Sequence, residues 1–381
     1  MHIVVEGSTW TNRRGYGRFL REILTAALKL GTPHQFTLVA DTSLPDSFTL
    51  PGATIVRVPL RVAAGDAASA HGRRSLSDMW AMSRALTRPP ADCLFFPTVY
   101  SYVPVRSRAP MIVGIHDVIA ERLPDHVFAS GRARRFWRTK VWLAARQAAR
   151  VMTVSNHAAE GITRELHIER SRIRIVGEAP APVFTPDAAL EPGYAVLRAA
   201  GIAPDTRFFL YVGGIAPHKN LDALADAVEQ MPFGVRIVIA GDYEHDSFLS
   251  SYPALQARAD RGRVTFTGRL EDEAVAALMR LAQALVLPSF DEGFGLPAIE
   301  AAASGGAVIV TRNSAMPEVL GDAAIYIDPY DTSTVSRAMT DVLSNADLRA
   351  SLSAKAAARA REWTWAAAAR RLIAMFEELA P

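Results

Sequence analysis

Short apolar runs alternate with longer, helically periodic stretches through the second half of the chain. The runs are rich in β-branched residues and lie at 208–214, 235–242, 263–268, 284–289, 307–311 and 323–328. The stretches between them, such as 220–231 and 271–283, carry apolar residues at helical spacing. Buried strands of a parallel sheet are continuous apolar runs joined by helices. The pattern therefore predicts one doubly wound α/β domain over residues 182–364.

The first half repeats this alternation less regularly. Strand-like runs lie at 2–7, 35–40, 53–58, 92–97, 111–117, 151–155 and 173–178, and helical periodicity is found at 16–30, 73–87 and 131–150. We expect a second Rossmann-like domain over residues 1–181, with a proline-rich linker at 177–193. The amphipathic C-terminal helix, 365–381, is compatible with two positions. It either caps its own domain or crosses back to the first, and the sequence does not decide between them.

Composition and charge indicate a soluble globular protein. Half of the 381 residues are apolar, 21% are charged, and the net charge is only +3, which gives no basis for a nucleic-acid partner. Cys93 is the only cysteine, so an intrachain disulfide is excluded and a reducing compartment is favoured. The opening residues lack a signal-peptide pattern, and no apolar run approaches the ~18 residues of a spanning helix. We therefore expect a cytoplasmic protein.

The segment DEGFGLPAIEAAASGG, residues 291–306, carries the strongest chemical signal. It joins a predicted strand to a helix, with Pro297 expected at the first helical position and a glycine pair after the last. Glycines in this turn let backbone N–H groups approach a ligand, and a helix N-terminus favours phosphate. Glu292 in the turn and Glu300 about one turn into the helix can accept hydrogen bonds from sugar hydroxyls. A nucleotide sugar offers both phosphates and hydroxyls, so the segment indicates such a ligand.

A second turn supplies positive charge at the same edge of the sheet. In YVGGIAPHKN, residues 211–220, Lys219 directly precedes Asn220, which we predict to be a helix N-cap. The carboxyl ends of parallel strands share one edge, so this cation and a second helix N-terminus should lie near Glu292. A lysine there would neutralise a diphosphate as it is bound and as it leaves.

Two turns of the first half also carry candidate groups. His116 and Asp117 come at the end of the predicted strand 111–117. The turn TNRRGYGRF, residues 11–19, joins the first strand to the first helix and would face the diphosphate if the domains close over a cleft. Its glycines, Gly15 and Gly17, are explained equally well by backbone conformation and by a phosphate contact.

Taken together, these motifs resemble the retaining glycosyltransferases of family four, which have the GT-B fold. The motifs are HD at 116–117, TVSNHAAEGI at 153–162, YVGG with HKN at 211–220, FTGRL at 266–270, E-x7-E at 292–300 and PEVLGDAAIYIDP at 317–329. The similarity runs along nearly the whole chain, and it is greatest to bacterial mannosyl- and rhamnosyl-transferases of surface polysaccharide synthesis. It implies an α/β protein with two Rossmann-like doubly wound domains facing a central cleft.

The same resemblance implies an activity. A hexose, with mannose favoured, would move from a nucleotide diphosphate sugar to a hydroxyl of a glycan or lipid-linked glycan, with retention of configuration. No metal and no cofactor would be needed, and no side-chain base either, because the leaving diphosphate would help to deprotonate the acceptor. GDP-mannose is the expected donor.

Individual residue roles also follow from the resemblance. His116, Lys219 and Glu292 would be catalytic, His116 by contacting the transferred sugar near its reacting carbon. The expected donor-binding residues are Gly15, Gly17, Gly214, Lys219, Arg269, Leu270, Glu292, Phe294, Gly295, Leu296 and Glu300. Among them Glu300 would hold the ribose, Lys219 the diphosphate, and Arg269 with Leu270 the nucleobase.

One departure from the family pattern leaves alternatives open. Gly214 and His218 stand where many relatives carry an arginine, so another base such as Arg18 would have to assist Lys219. A catalytically silent nucleotide-sugar-binding protein therefore remains an alternative, as does an epimerase of the same fold. A phosphorylase of this fold would need a pyridoxal-binding lysine, for which we find no basis.

The segment RARRFWRTKVWLAARQAAR, residues 132–150, clusters basic and aromatic residues at helical spacing. Such a helix suits peripheral contact with the inner face of a membrane, where a lipid-linked acceptor would lie. An ordinary solvated face opposite a core face explains the same pattern slightly better.

Overall fold

The computed structural model describes residues 1–61, 75–241 and 252–380. The chain divides into two compact units. Unit 1 comprises residues 1–178 together with 364–381, and unit 2 comprises residues 179–363. The expected domains, 1–181 and 182–364, therefore differ from these units by three residues at one boundary and by one at the other.

Unit 1 contains a parallel sheet in the order β3-β2-β1-β4-β5-β6-β7. Its strands are β1 (His2–Glu6), β2 (Gln35–Asp41), β3 (Ala53–Val58), β4 (Cys93–Phe96), β5 (Met111–Gly114), β6 (Arg150–Thr153) and β7 (Ile173–Ile175). The chain runs outward from β1 to β3 and then restarts on the other side of β1 with β4. The direction of winding therefore reverses between β1 and β4, which is where doubly wound sheets open a crevice at their carboxyl edge.

Helices cover both faces of this sheet. They are α1 (Gly15–Lys29), α2 (Leu76–Thr87), α3 (Ile119–Arg122), α4 (Pro124–Val127), α5 (Gly131–Gln147), α6 (Asn156–Leu166) and α15 (Trp365–Glu377), with a 3₁₀ turn at Arg170–Arg172. One core contains the buried faces of α2, α5 and α6. On α15, Phe376 packs against Phe36 of β2 and Phe95 of β4, and the helix also packs on α1. The C-terminal helix thus belongs to the first unit.

Unit 2 repeats the topology with a parallel sheet in the order β10-β9-β8-β11-β12-β13. Its strands are β8 (Phe208–Val212), β9 (Arg236–Ala240), β10 (Val264–Gly268), β11 (Leu285–Leu287), β12 (Val308–Thr311) and β13 (Ile325–Ile327). Nearly every strand residue is buried or half-buried, because helices cover both faces. Here the winding reverses between β8 and β11.

The helices of unit 2 connect these strands. They are α7 (Glu191–Ala199), α8 (Asp222–Glu229), α9 (Pro253–Asp260), α10 (Asp272–Leu281), α11 (Leu296–Ala303), α12 (Met316–Leu320), α13 (Thr332–Ser344) and α14 (Ala346–Ala360), with a 3₁₀ turn at Pro217–Lys219. Where the chain is described, no helix is both long enough and apolar enough to cross a lipid bilayer.

The predicted fold class of two doubly wound α/β units is confirmed, and each predicted strand is present within a few residues. Two predictions of local structure were less accurate. The strand predicted over 111–117 ends at Gly114, so His116 lies in the following loop. The predicted linker, 177–193, is shorter than expected, because residues 177–178 belong to unit 1 and α7 begins at Glu191. Residues 73–74, Asp242 and Pro381, which belong to predicted elements, lie outside the described residues.

Candidate functional site

In unit 2 the loops after β8 and β11 meet where the winding of the sheet reverses. The two strands are neighbours, and their loops are cross-linked by a hydrogen bond of 2.9 Å from the Phe290 amide to the His218 carbonyl. The Glu292 carbonyl accepts from the Ala315 amide at 3.1 Å, which ties the second loop to the start of α12. These backbone bonds hold both loops in fixed positions before any ligand arrives.

Lys219 and Glu292 are brought together by these loops. The Lys219 Nζ atom lies 2.8 Å from Glu292 Oε1, with 21% and 13% of the two side chains exposed. Ser289 donates its hydroxyl to the same oxygen at 2.6 Å. An ammonium has three N–H donors, so Lys219 keeps donor capacity for an anion while bound to Glu292. The arrangement offers a fixed positive charge beside a fixed carboxylate at the crevice.

Asn220 has a different role from the one predicted. It is not the N-cap of α8, which begins after Leu221. Asn220 instead adopts a left-handed conformation with φ 54°, and its side-chain amide donates to the carbonyls of Pro288 at 3.1 Å and Pro329 at 2.8 Å. It therefore joins three loops, and the direction of the chain after Lys219 depends on it.

Helix α11 begins beside Glu292 and carries Glu300 in its second turn. The helix starts at Leu296, so Pro297 is its second residue and not the first as predicted. Gly295 precedes it with φ 81°, and a Cβ there would lie 2.2 Å from Met316 Cε. The left-handed backbone conformation favours glycine, and a larger residue would also have to displace the flexible end of the Met316 side chain. Glu300 is buried, with 4% of its surface exposed.

The other predicted donor residues of unit 2 are placed as follows. Phe294 and Leu296 are buried, and the Phe294 ring meets the Trp363 ring edge-on at 5.1 Å, so only their backbone is suited to a ligand. The Gly214 carbonyl accepts from the Tyr211 hydroxyl at 2.9 Å, and its Cα borders open space. Arg269 is exposed and Leu270 half-buried after β10, two strands away from β8.

In unit 1, His116 lies in the loop after β5 with both ring nitrogens bound to the protein. Nδ1 lies 3.2 Å from Glu178 Oε1, and Nε2 lies 2.8 Å from the Pro97 carbonyl. The Phe19 ring of α1 meets the imidazole edge-on, with 4.7 Å between centroids. A hydrogen bond from His116 to a sugar would therefore require one of these two bonds to break.

The surroundings of His116 favour its protonated form. Burial is the largest single influence and lowers the pKa, but the hydrogen bond and charge of Glu178, the Pro97 carbonyl and the charge of Asp117 together outweigh it. The pKa of His116 is therefore raised above its ordinary value.

The predicted glycines of unit 1 lie at the start of α1. Gly15 is the first helical residue and is exposed. Gly17 is buried, and a Cβ there would lie only 1.9 Å from the Asn12 carbonyl oxygen. Close packing of α1 on its own preceding loop thus explains Gly17 without a ligand. Arg18, suggested as a further base, is half-buried on the same helix.

Two residues of these clusters were not identified from the sequence. Glu178 was assigned both to the end of the predicted strand 173–178 and to the proline-rich linker. A polar residue that follows β7 so closely is a signal for the carboxyl edge of a sheet. Ser289 follows β11 in the same way. The pairing of Glu178 with His116 could not be deduced, because the two lie 62 residues apart along the chain. Ser289 is only three residues from Glu292, so that contact is local and was overlooked.

Family models match both units of the chain. The model described as "Glycosyl transferase 4-like domain" matches residues 14–178, and the model described as "Glycosyl transferases group 1" matches residues 197–359. The first match begins after β1 and includes β2 to β7, and the second includes all six strands of the sheet of unit 2.

Two curated relatives of this chain are mannosyltransferases by name. The chain is 28% identical to O-antigen chain mannosyltransferase B of Escherichia coli over 221 residues, which is 56% of this chain and 57% of that protein. It is 26% identical to the serotype-specific mannosyltransferase WbdA of Escherichia coli over 69% of this chain and 33% of the relative. The chain thus spans about half and one third of the lengths of these two proteins.

A solved structure extends the likeness to the complete fold. WaaG, a glycosyltransferase involved in lipopolysaccharide biosynthesis, superposes with a TM-score of 0.74 over 99% of each chain at 16% identity. At that identity the likeness concerns the fold alone. With a glycosyl transferase 4-like domain in its first unit and a group 1 domain in its second, this chain belongs to the glycosyltransferase family with the GT-B fold.

Proposed function

We propose that this protein transfers a hexose, with mannose favoured, from a nucleotide diphosphate sugar to a hydroxyl of a glycan or lipid-linked glycan, with retention and without a metal. The observation that carries the proposal is the Lys219–Glu292 pair at the crevice of unit 2, beside the start of α11. The names of the mannosyltransferase relatives support mannose, and GDP-mannose is the donor we would test first.

Each group at this crevice suits one part of such a donor. Lys219 and the N-terminal amides of α11 would hold the diphosphate, since both present N–H donors and positive charge. Glu292 would accept from hydroxyls of the sugar, and Glu300 from those of the ribose. As the bond from the anomeric carbon to the acceptor oxygen forms, the bond to the diphosphate breaks. The nucleoside diphosphate then leaves with the acceptor proton.

Melting temperatures measured with GDP, UDP, ADP and dTDP and their common sugars test donor binding, because a ligand of the folded state raises the melting temperature. We expect one nucleoside diphosphate and its sugar to raise the melting temperature more than the others do. Transfer is then assayed with EDTA present, and the anomeric configuration of the product is read by NMR. An inverted product, or loss of activity with EDTA, would contradict the proposed mechanism.

Lys219→Gln should weaken binding of that diphosphate by roughly tenfold or more, since a hydrogen bond to a charged group contributes about 1.5–3 kcal/mol. Lys355→Gln is the matched control. Lys355 makes an ion pair of the same length, 2.8 Å, with Asp322, but 51% and 85% of those side chains are exposed. Selective binding without transfer would favour a silent binding protein, and an epimerised sugar nucleotide would favour an epimerase. Unchanged affinity in Lys219→Gln would refute the phosphate role.

We also propose that the acceptor side of the enzyme rests on an anionic membrane through α5. The helix carries five arginines, one lysine and no acidic residue. Its face toward the core buries Trp137, Val141 and Ala144, while Phe136 and Trp142 on the opposite side are 60% and 59% exposed. Exposed aromatic rings among basic residues match the headgroup region of an anionic bilayer.

Sedimentation with vesicles tests this contact. The protein should bind vesicles containing phosphatidylglycerol, and phosphatidylcholine vesicles much less. The double variant Phe136→Ala, Trp142→Ala should reduce binding at least tenfold, because a tenfold loss needs only about 1.4 kcal/mol, less than the cost of withdrawing two CH₂ groups from the bilayer at about 0.8 kcal/mol each. Phe233→Ala, at a 98% exposed position of unit 2, is the control. Equal binding by the double variant and the control would exclude α5 as the contact.

A further inference from the structure

His116 and Glu178 form a pair that joins distant parts of unit 1 at the carboxyl edge of its sheet. Glu178 follows β7 and is 5% exposed, whereas His116 follows β5 and keeps 13% of its side chain exposed. The Pro97 carbonyl, on the other side of the imidazole, follows β4. The ring is therefore held between the ends of three strands, and Phe19 closes one more side.

The partners of the two ring nitrogens determine the protons that the imidazole carries. A carbonyl oxygen only accepts, so Nε2 must carry a hydrogen to bond to Pro97. A carboxylate also only accepts, so Nδ1 must carry a second hydrogen to bond to Glu178. With both nitrogens protonated, the ring is an imidazolium. Its charge is balanced by Glu178, and neither N–H is directed at a substrate.

Other charged groups surround this pair. Asp117 lies beside His116 in sequence and also favours the cation. From α15, Arg371 donates to the Val176 carbonyl at 3.0 Å, two residues before Glu178. Glu121 of α3 accepts from the Trp137 indole at 2.7 Å, and burial raises its pKa to about 7, so it also changes charge near neutral pH. An experiment on the pair must therefore compare variants at each pH.

We propose that Glu178 is a positioning residue for glycosyl transfer, which holds His116 as a cation and fixes the ring at the crevice of unit 1. The catalytic role of Glu178 rests on the proposed function, whereas the ion pair does not. Because both ring N–H groups are bound to the protein, the effect of His116 on the sugar would be electrostatic. Glu178 acts only through His116.

Glu178→Gln tests the pair, because its amide oxygen can still accept from Nδ1 while the negative charge is lost. The titration of His116 is followed by NMR with histidine labelled at ring carbon, using His116→Asn to assign its signal among nine histidines. The pKa of His116 should lie above its ordinary value in the wild type and should fall in Glu178→Gln. Glu160→Gln, at an exposed position on α6, is the matched control and should leave it unchanged.

The catalytic part is tested by the rate of nucleoside diphosphate release with acceptor present, across the same pH range. Glu178→Gln should approach the wild-type rate in acid and fall below it in alkali, about tenfold for each unit by which the pKa of His116 falls, because the fraction of the cation falls by that factor. An equal loss at every pH, with a lowered melting temperature, would indicate a purely structural role and overturn the inference.

The titration is independent of turnover, so it separates this inference from the proposed function. A wild-type His116 that titrates near 6.5, or one that titrates alike in Glu178→Gln, overturns the ion pair whether or not the protein transfers sugar. Absence of transfer with every donor, together with a raised wild-type pKa, would refute the proposed function and the catalytic role of Glu178 while leaving the ion pair intact.

Discussion

Gly17 and Gly214 differ in how much space the surrounding atoms leave for a side chain. A Cβ on Gly17 would collide with the Asn12 and Thr9 carbonyls, at 1.9 and 2.7 Å, whereas a Cβ on Gly214 would meet no atom within 4 Å. The first glycine is required by packing of backbone on backbone. Packing does not require glycine at position 214, so a ligand contact is a better explanation for Gly214 than for Gly17.

We therefore expect opposite results from alanine at these positions. Gly17→Ala should lower the free energy of unfolding by about 1–3 kcal/mol, the usual cost of overpacking, and Gly214→Ala by less than about 0.5 kcal/mol. Urea denaturation measures both. If Gly214 lines the donor site as predicted, its alanine variant should lose diphosphate affinity while keeping its stability. A stable Gly17→Ala variant would contradict the packing explanation.

At the scale of elements, α15 shows that a helix can belong to the unit remote from it in sequence. It directly follows unit 2 along the chain but buries Phe376 completely against β2 and β4 of unit 1. Its end is fixed as well, because Glu378 accepts from Arg174 Nε at 2.9 Å and from Arg150 Nε at 3.3 Å.

Phe376→Ala should therefore destabilise unit 1 by about 3–5 kcal/mol, the range for removing a buried aromatic ring. Hydrogen exchange should rise in β1, β2 and β4 and stay unchanged in the strands of unit 2. Phe233→Ala provides the control, since that ring is 98% exposed and its loss should change stability by less than about 0.5 kcal/mol. Faster exchange throughout both units would show that α15 does not act on unit 1 alone.

In the candidate site, features with a local sequence signal were predicted correctly, whereas a contact between distant loops was not. The glycine-rich turn, the proline beside it and the two glutamates of 292–300 were readable from sequence, because strand-to-helix turns have local signals. The N-cap role predicted for Asn220 was wrong, since its amide is used by two carbonyls about 70 and 110 residues away along the chain. Local preference cannot anticipate such partners.

At the scale of the whole molecule, the sequence by itself determined the fold class. Two series of apolar runs separated by helical periodicity leave few alternatives to two doubly wound sheets, because each run must be buried on both faces. The family also followed from the sequence, because its motifs are short and fall at turns.

Only the tertiary structure decided which distant residues act together. It placed α15 on unit 1, showed that Lys219 and Glu292, which were expected near each other, form a direct ion pair, and brought Glu178 against His116. The physical reason is common to all three cases. Periodicity reports how one segment meets the core, whereas pairing depends on which loops the strand order brings to the same edge of a sheet.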